Sequence, residues 1–196
     1  MLNFCKQMTV IRKEKSEILN SKINNELKEL EMKNAKFIVN LQDNKDFNEN
    51  GIDDIEFMIC TNIGDEAKSL IKIASGGEIS RIMLAIKTVL ADSDNVPVMI
   101  FDEIDTGISG KAAKSVAEKM KIIANKHQVL CITHQASIAA KGDHNYYISK
   151  KVEEEKTKTV VKKLTEQEII EEIARMSSGD ITENAINHAK EMRKAG

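Results

Sequence analysis

The feature that most constrains the fold of this chain is a pair of short apolar runs separated by a helical pattern. Val96–Phe101 is an unbroken apolar run, and Val129–Thr133 is a second one. Between them, residues 110–126 carry apolar side chains at helical spacing. Strand, helix and strand at this spacing predict a βαβ unit with parallel strands, and the unbroken runs predict strands buried on both faces.

Alternating patterns elsewhere predict two antiparallel hairpins. Phe37–Leu41 and Ile55–Ile59 flank the turn signal at residues 48–51, and Tyr146–Ile148 and Thr159–Val161 flank a charged turn. Runs of this length bounded by polar turn residues are typical of hairpin strands. The predicted fold class is therefore α/β, with a mostly parallel sheet, flanking helices and short antiparallel hairpins.

Both ends of the chain are predicted to be helical. Residues 1–36 are rich in Lys, Glu and Asn and carry apolar residues in two registers shifted by one position, a coiled-coil pattern with a slip. An ordinary amphipathic surface helix is the alternative. Near the other end, Thr165 and Glu168 form a capping box, and Gly179 is a helix stop. We expect residues 1–36 to form a separate arm and residues 37–196 the globular part.

Composition excludes little except membrane and secretory classes. The 196 residues carry a net charge of −2, so bulk charge gives no argument for nucleic-acid binding. The sequence has no apolar run of about 18 residues, which a spanning helix would need, and it begins without the apolar stretch of a secretory signal. Cys5, Cys60 and Cys131 are odd in number and far apart. Cys60 and Cys131 end or lie within apolar runs, which favours buried, reduced thiols in a cytosolic protein.

The first candidate functional motif is Ser75-Gly76-Gly77-Glu78, which opens a predicted helix. The helix itself is marked by a stripe of apolar residues at Ile79, Ile82, Met83, Ile86 and Leu90. Ser75 and Glu78 fit a capping box, but two glycines in a first turn cost about 1 kcal/mol each relative to alanine. Glycines permit close approach of a ligand, and free N–H groups at a helix start bind anions. Both interpretations, cap and phosphate site, remain open from the residues alone.

The second motif is the acid pair Asp102 and Glu103, which follows the first apolar run. Parallel sheets bind ligands at the carboxyl ends of their strands. Adjacent residues on a strand point to opposite faces, which predicts a division of roles. One carboxylate can hold hydrated Mg²⁺, and the other can polarise an attacking water. An acidic strand end that merely meets solvent is the alternative.

Further polar residues follow the two runs. Asp105 lies just after the acid pair, and His134 follows the second run, where it can donate to a phosphate or position a water. Gly107, Gly110 and Lys111 do not form a phosphate-binding loop, since the glycine spacing is wrong and Ala112 follows the lysine.

Taken in order, these motifs resemble the C-terminal half of an ABC-type ATPase head. The Ser75–Glu78 motif matches the signature motif, Phe101–Glu103 the Walker B strand, Asp105 the D-loop and His134 the switch histidine. The sequence around these motifs is similar to the bacterial RecN family of DNA repair ATPases, relatives of the chromosome-maintenance (SMC) proteins. This similarity extends over residues 74–85, 100–110 and 172–176.

The resemblance implies the C-terminal lobe of a P-loop ATPase head that acts in double-strand break repair, with residues 1–36 as the end of a coiled-coil arm. In such heads two copies sandwich ATP and Mg²⁺. Ser75, Gly76, Gly77 and Glu78 would face the nucleotide of the opposite head, with Asp105 at the dimer interface. Asp102 would hold Mg²⁺ through water, Glu103 would be the catalytic base, and His134 would sense the γ-phosphate.

The sequence contains no Walker A motif. We therefore expect the chain alone not to hydrolyse ATP, and we expect its partners to be a Walker A lobe, a second head and, in the full-length protein, DNA. Three alternatives stay open: another ABC-type head, a non-hydrolysing interaction module, and a metal-dependent nuclease using Asp102, Glu103 and Asp105.

Overall fold

The computed structural model describes residues 1–72, 76–91, 93, 95–153 and 156–194. The helices are α1 (Leu2–Glu29), α2 (Gly76–Leu90), α3 (Gly110–Ala124), α4 (Ala136–Ala139), α5 (Glu166–Ser178) and α6 (Glu183–Lys194). The strands are β1 (Lys36–Asn48), β2 (Gly51–Cys60), β3 (Lys68–Ser69), β4 (Val98–Phe101), β5 (Gln128–Cys131), β6 (Tyr146–Glu153) and β7 (Lys156–Lys163). A short 3₁₀ turn, Leu70–Lys72, follows β3.

The C-terminal half of α1 is part of the core, whereas much of its N-terminal half is exposed. Ile23 and Leu27 are fully buried, while Phe4 and Ile11 are largely exposed. The predicted hairpin of β1 and β2 is confirmed, with β3 added at its edge. Arg12 of α1 pairs with the buried carboxylate of Asp53 on β2 at 2.7 Å, which ties the exposed half of the helix to the hairpin.

The predicted βαβ unit is confirmed: β4 and β5 are parallel neighbours, in register from Val98↔Gln128 to Phe101↔Cys131, with α3 between them in the chain. The prediction that both strands are buried on both faces is wrong. One face of β4, with Met99 and Phe101, lies in the core, while Ile100 on the other face is 68% exposed. Ile132, just after β5, is 54% exposed. The apolar run is continuous, but the described part of the chain covers only one side of the sheet.

Helix α2 packs against α1 and α3. Of the predicted stripe, Ile82 and Ile86 are buried, while Ile79, Met83 and Leu90 are only partly covered. The buried face is centred elsewhere on the helix and also includes Gly77, Arg81, Leu84 and Ala85.

The C-terminal part of the chain forms a second, smaller core. Strands β6 and β7 pair as the predicted hairpin, and the capping box of Thr165 and Glu168 at the start of α5 is confirmed. Gly179 ends α5 with a φ of 84°, as the helix-stop prediction requires. Helices α4, α5 and α6 pack together around Ile173 and Ala189. Within the described residues, no helix is long and apolar enough to cross a membrane.

Candidate functional site at the carboxyl ends of the parallel strands

Asp102 and Glu103 lie in the turn after β4 rather than on the strand. Because β4 ends at Phe101, the predicted alternation of the two carboxylates across a strand does not apply. Instead, the backbone N–H of Glu103 donates to Oδ1 of Asp102 at 2.9 Å, and both side chains are exposed. Glu103 has a φ of 56°, a left-handed conformation that costs a non-glycine residue about 1 kcal/mol or more.

The glycine pair at the start of α2 packs directly onto this turn. A Cβ atom on Gly76 would lie 2.3 Å from Oε2 of Glu103. A Cβ on Gly77 would lie 3.0 Å from the carbonyl oxygen of Thr106 and 3.1 Å from that of Glu103. Gly77 thus has a structural reason that the sequence did not reveal, since a residue without a side chain lets the helix approach the backbone of this turn closely. At Gly76 an added Cβ would displace only the flexible end of the Glu103 side chain.

Asp105 joins the turn after β4 to the end of β5. Its carboxylate is 2% exposed, and its Oδ2 accepts hydrogen bonds from the hydroxyl of Thr133 at 2.5 Å and the backbone N–H of His134 at 2.8 Å. Nδ1 of His134 lies 3.2 Å from the same oxygen, while the ring is largely exposed. Asp105 and His134 are therefore in contact, and Asp105 is engaged within the chain.

Three further contacts connect α2 to the acidic turn. The hydroxyl of Ser80 donates to the carbonyl of Asp102 at 2.9 Å. The guanidinium of Arg81 donates to the carbonyls of Ile104 at 3.2 Å and Thr106 at 2.9 Å. Sequence reasoning missed both residues, since a polar side chain on an amphipathic helix is usually a surface position.

For two predicted site residues, Glu78 and Ser75, the predicted contacts with each other and with a ligand stay untested. Glu78 lies in the first turn of α2, partly buried, and its charge opposes the fall in the pKa of Arg81 that burial causes. Ser75 lies outside the described residues, so its pairing with Glu78 and its contact with a phosphate stay predictions.

Cys131, the last residue of β5, is partly buried against the main core. This partial burial, together with the charges of Asp105 and Asp102, raises the pKa of its thiol to about 12. The thiol therefore stays protonated at neutral pH and is a poor nucleophile or metal ligand. Cys5, Cys60 and Cys131 are all free thiols, but the prediction that Cys60 and Cys131 are buried is wrong, since both are only partly covered.

The exposed carboxylate of Asp102 suits a hard cation whose other ligands are waters and substrate phosphates. Among the described residues, no group of three or more His, Cys, Asp or Glu side chains is arranged to hold a metal ion. Asp102 presents an exposed carboxylate, and oxygen is the ligand that Mg²⁺ prefers, usually with several waters and substrate phosphates completing the shell. One carboxylate at this edge of the sheet fits that mode of binding, whereas a multi-carboxylate nuclease centre would also need Asp105, which hydrogen bonds already engage.

Solved structures with the same fold are heads of SMC proteins. The Smc head domain with a coiled coil and joint from Pyrococcus yayanosii has a TM-score of 0.60 at 18% identity, with 88% of this chain and 31% of that chain covered. The head domain with an extended coiled coil from Pyrococcus furiosus, bound to the C-terminal domain of ScpA, has a TM-score of 0.53 at 20% identity, with 78% and 36% covered. The fold is therefore that of an SMC-type head lobe, which confirms the predicted fold class.

Sequence relatives narrow the class to one family. No protein-family model matches the chain. The DNA repair protein RecN of Halalkalibacterium halodurans is 45% identical over 190 residues, covering 94% of this chain and 34% of that protein. RecN of Bacillus subtilis is 48% identical over 147 residues, covering 74% and 26%. The chain belongs to the RecN family, as its motifs predicted, and it spans 34% and 26% of the length of these two curated relatives.

Proposed function

We propose that this chain is the C-terminal lobe of a RecN ATPase head, which hydrolyses ATP in double-strand break repair once a Walker A lobe joins it. One observation carries the proposal: the start of α2, the acid pair, Asp105 and His134 meet at one edge of a parallel sheet. That edge is where such sheets bind their ligands.

The exposed face of the parallel sheet supports the part of the proposal that concerns a second lobe. Parallel sheets are normally covered on both faces, but Val98, Ile100, Leu130 and Ile132 are exposed here. Exposed apolar surface that is contiguous marks an interaction site. The RecN relative from Halalkalibacterium halodurans is about three times as long as the region that matches this chain. Its additional residues include enough polypeptide to cover the exposed face of the sheet. We propose that the Walker A lobe packs on this face and that residues 1–36 form the end of a coiled-coil arm.

We propose a role for each site residue, and the positions of these residues are compatible with the roles. Glu103 would serve as the catalytic base, and Asp102 would hold Mg²⁺ through water. His134, whose Nδ1 lies beside the carboxylate of Asp105, would contact the γ-phosphate. When bound, Mg²⁺ would neutralise the charge of the ATP phosphates. The residues of this chain would position the water and accept its proton, and catalysis of phosphoryl transfer depends mainly on such positioning and on electrostatic stabilisation.

A head-to-head homodimer completes the site. The Ser75–Glu78 motif is offered to the nucleotide held by the opposite head, so each active site takes residues from two copies. In the cell we place the protein in the cytoplasm, on the nucleoid, where the full-length protein meets DNA.

ATP turnover by two proteins tests this proposal. The first is the chain alone, and the second is a chimera in which the chain replaces the matching region of RecN from Halalkalibacterium halodurans. We expect turnover only from the chimera, loss of it in Glu103→Gln, and no loss in the control Glu56→Gln, an exposed carboxylate on β2. Robust turnover by the chain alone, abolished by Glu103→Gln, would overturn the proposal.

A further inference from the structure

We infer that Arg81 is a positioning residue that couples the start of α2 to Asp105 and His134. This inference deepens the proposed function and rests on it only for its catalytic consequence. The coupling itself is a property of the hydrogen bonds in this chain.

The first step is the position of Arg81. It follows Gly77 by one helical turn, so both residues lie on the same face of α2. Gly77 packs against the carbonyl oxygens of Glu103 and Thr106, and Arg81 donates to those of Ile104 and Thr106. The turn that carries the acidic residues is therefore fixed to the helix at two successive points.

The second step is the route from Arg81 to the far side of the site. Its two acceptor carbonyls belong to the residues on either side of Asp105. The carboxylate of Asp105 in turn accepts from Thr133 and from the backbone of His134. A shift of α2 along its axis would thus move Asp105, and through it His134, because direct hydrogen bonds join each group to the next.

The third step is energetic. Arg81 is 7% exposed, burial lowers the pKa of its guanidinium, and its Nε has no hydrogen-bond partner among the described residues. Burying a charge and an unsatisfied N–H is costly, and an apolar residue of similar size at such a site is often more stable. The arginine is therefore poorly explained by stability and better explained by the two carbonyls that it holds.

Amide hydrogen exchange of the 196-residue chain tests the coupling without ATP. The variants are Arg81→Met, Arg81→Lys, and Ile86→Val as a control at another buried position of the same helix. The amides of Thr106 and His134 report on the coupled segment. The amide of Ile132, bonded to the carbonyl of Phe101, reports on the sheet.

We expect Arg81→Met to speed exchange at Thr106 and His134 about tenfold or more relative to Ile132, the size of losing one or two charge-assisted hydrogen bonds. Arg81→Lys should restore part of the protection, and Ile86→Val should change all three amides alike. Equal changes at all three amides in Arg81→Met would overturn the coupling. If Arg81→Met does not fold, Arg81→Lys is compared with Ile86→Val at the same three amides. Equal changes at all three amides in Arg81→Lys would then overturn the coupling.

The catalytic consequence is measured separately in the chimera. Arg81→Met should lower kcat about tenfold with KM nearly unchanged, because the groups it positions act in the transition state. An equal loss in Ile86→Val would contradict a positioning role. Differential exchange in the chain together with an inactive wild-type chimera would reject the proposed ATPase while leaving the coupling intact.

Discussion

The carboxylate of Asp105 accepts the backbone N–H of His134 at 2.8 Å, so the loops after the two parallel strands form one hydrogen-bonded unit. The same oxygen accepts the hydroxyl of Thr133. Because Asp105 is almost fully buried, its carboxylate is satisfied by these donors and not by water. This side chain therefore helps to fix the position of His134 relative to the acid pair.

Asp105→Asn should destabilise the chain by about 1–2 kcal/mol, because the amide oxygen can still accept from Thr133 and His134 but both bonds lose their charge assistance. Urea denaturation measures this as a fall in the midpoint at constant slope. The matched control is Asp143→Asn, whose exposed pair with Lys121 should cost under about 1 kcal/mol. Equal losses in the two variants would show that the Asp105 network contributes little.

Gly77→Ala should destabilise the chain although alanine is the better helix former. The added methyl group would meet the carbonyls of Glu103 and Thr106, and backbone cannot move aside cheaply. We expect the free energy of unfolding, measured by heat or urea, to fall by about 1–2 kcal/mol. This net loss already includes the gain of up to about 1 kcal/mol from the higher helix propensity of alanine. Gly76→Ala is the control, since its methyl would meet only the flexible end of Glu103, and it should be neutral or stabilising.

Glu103→Gly should stabilise the chain while abolishing the proposed hydrolysis. Glycine adopts the observed φ of 56° without strain, which should gain about 0.5–1 kcal/mol in the free energy of unfolding. Glu103→Gln keeps the strained backbone and should leave stability nearly unchanged. A lower urea midpoint for Glu103→Gly than for Glu103→Gln would contradict the idea that strain is stored at this position.

Acid should loosen the start of α5. The bond from Lys162, followed by bonds from Thr165, lowers the pKa of Glu168 from 4.5 to about 2. Since the folded pKa lies below the unfolded one, this contribution to stability is complete above pH 4.5 and is lost as the pH falls towards 2. NMR titration of Glu168 checks the value, and Lys162→Met should raise it. A titration near 4.5 in the unmodified chain would contradict the structure here.

The architecture was largely predictable because it depends on local periodicity. The parallel pair β4 and β5, both hairpins and the capping box at Thr165 all follow from spacing within a few residues. The exposure of Ile100 could not be predicted from the sequence. An apolar run shows that both faces of a strand must be covered, but it does not show which polypeptide covers them.

The site was predictable as a set of residues but not as a geometry. The two apolar runs were expected to form parallel strands of one βαβ unit, and Asp105 and His134 are in contact after them. The turn that takes Glu103 off the strand packs against Gly77, which is more than twenty positions away in the sequence. Arg81 was missed because its buried role depends on carbonyls, which every residue has and no sequence pattern marks.

The central claim is that each ATP site takes Glu103 from one head and the Ser75–Glu78 motif from another. Two inactive chimeras, Glu103→Gln and Ser75→Arg, test it when mixed. A mixed dimer has one site that carries both defects and one that carries neither. The account predicts that a 1:1 mixture recovers about a quarter of wild-type ATP turnover, as random pairing in a symmetric dimer requires. If both residues served the same site within one head, every site in the mixture would stay defective, and no recovery at any ratio would contradict the account.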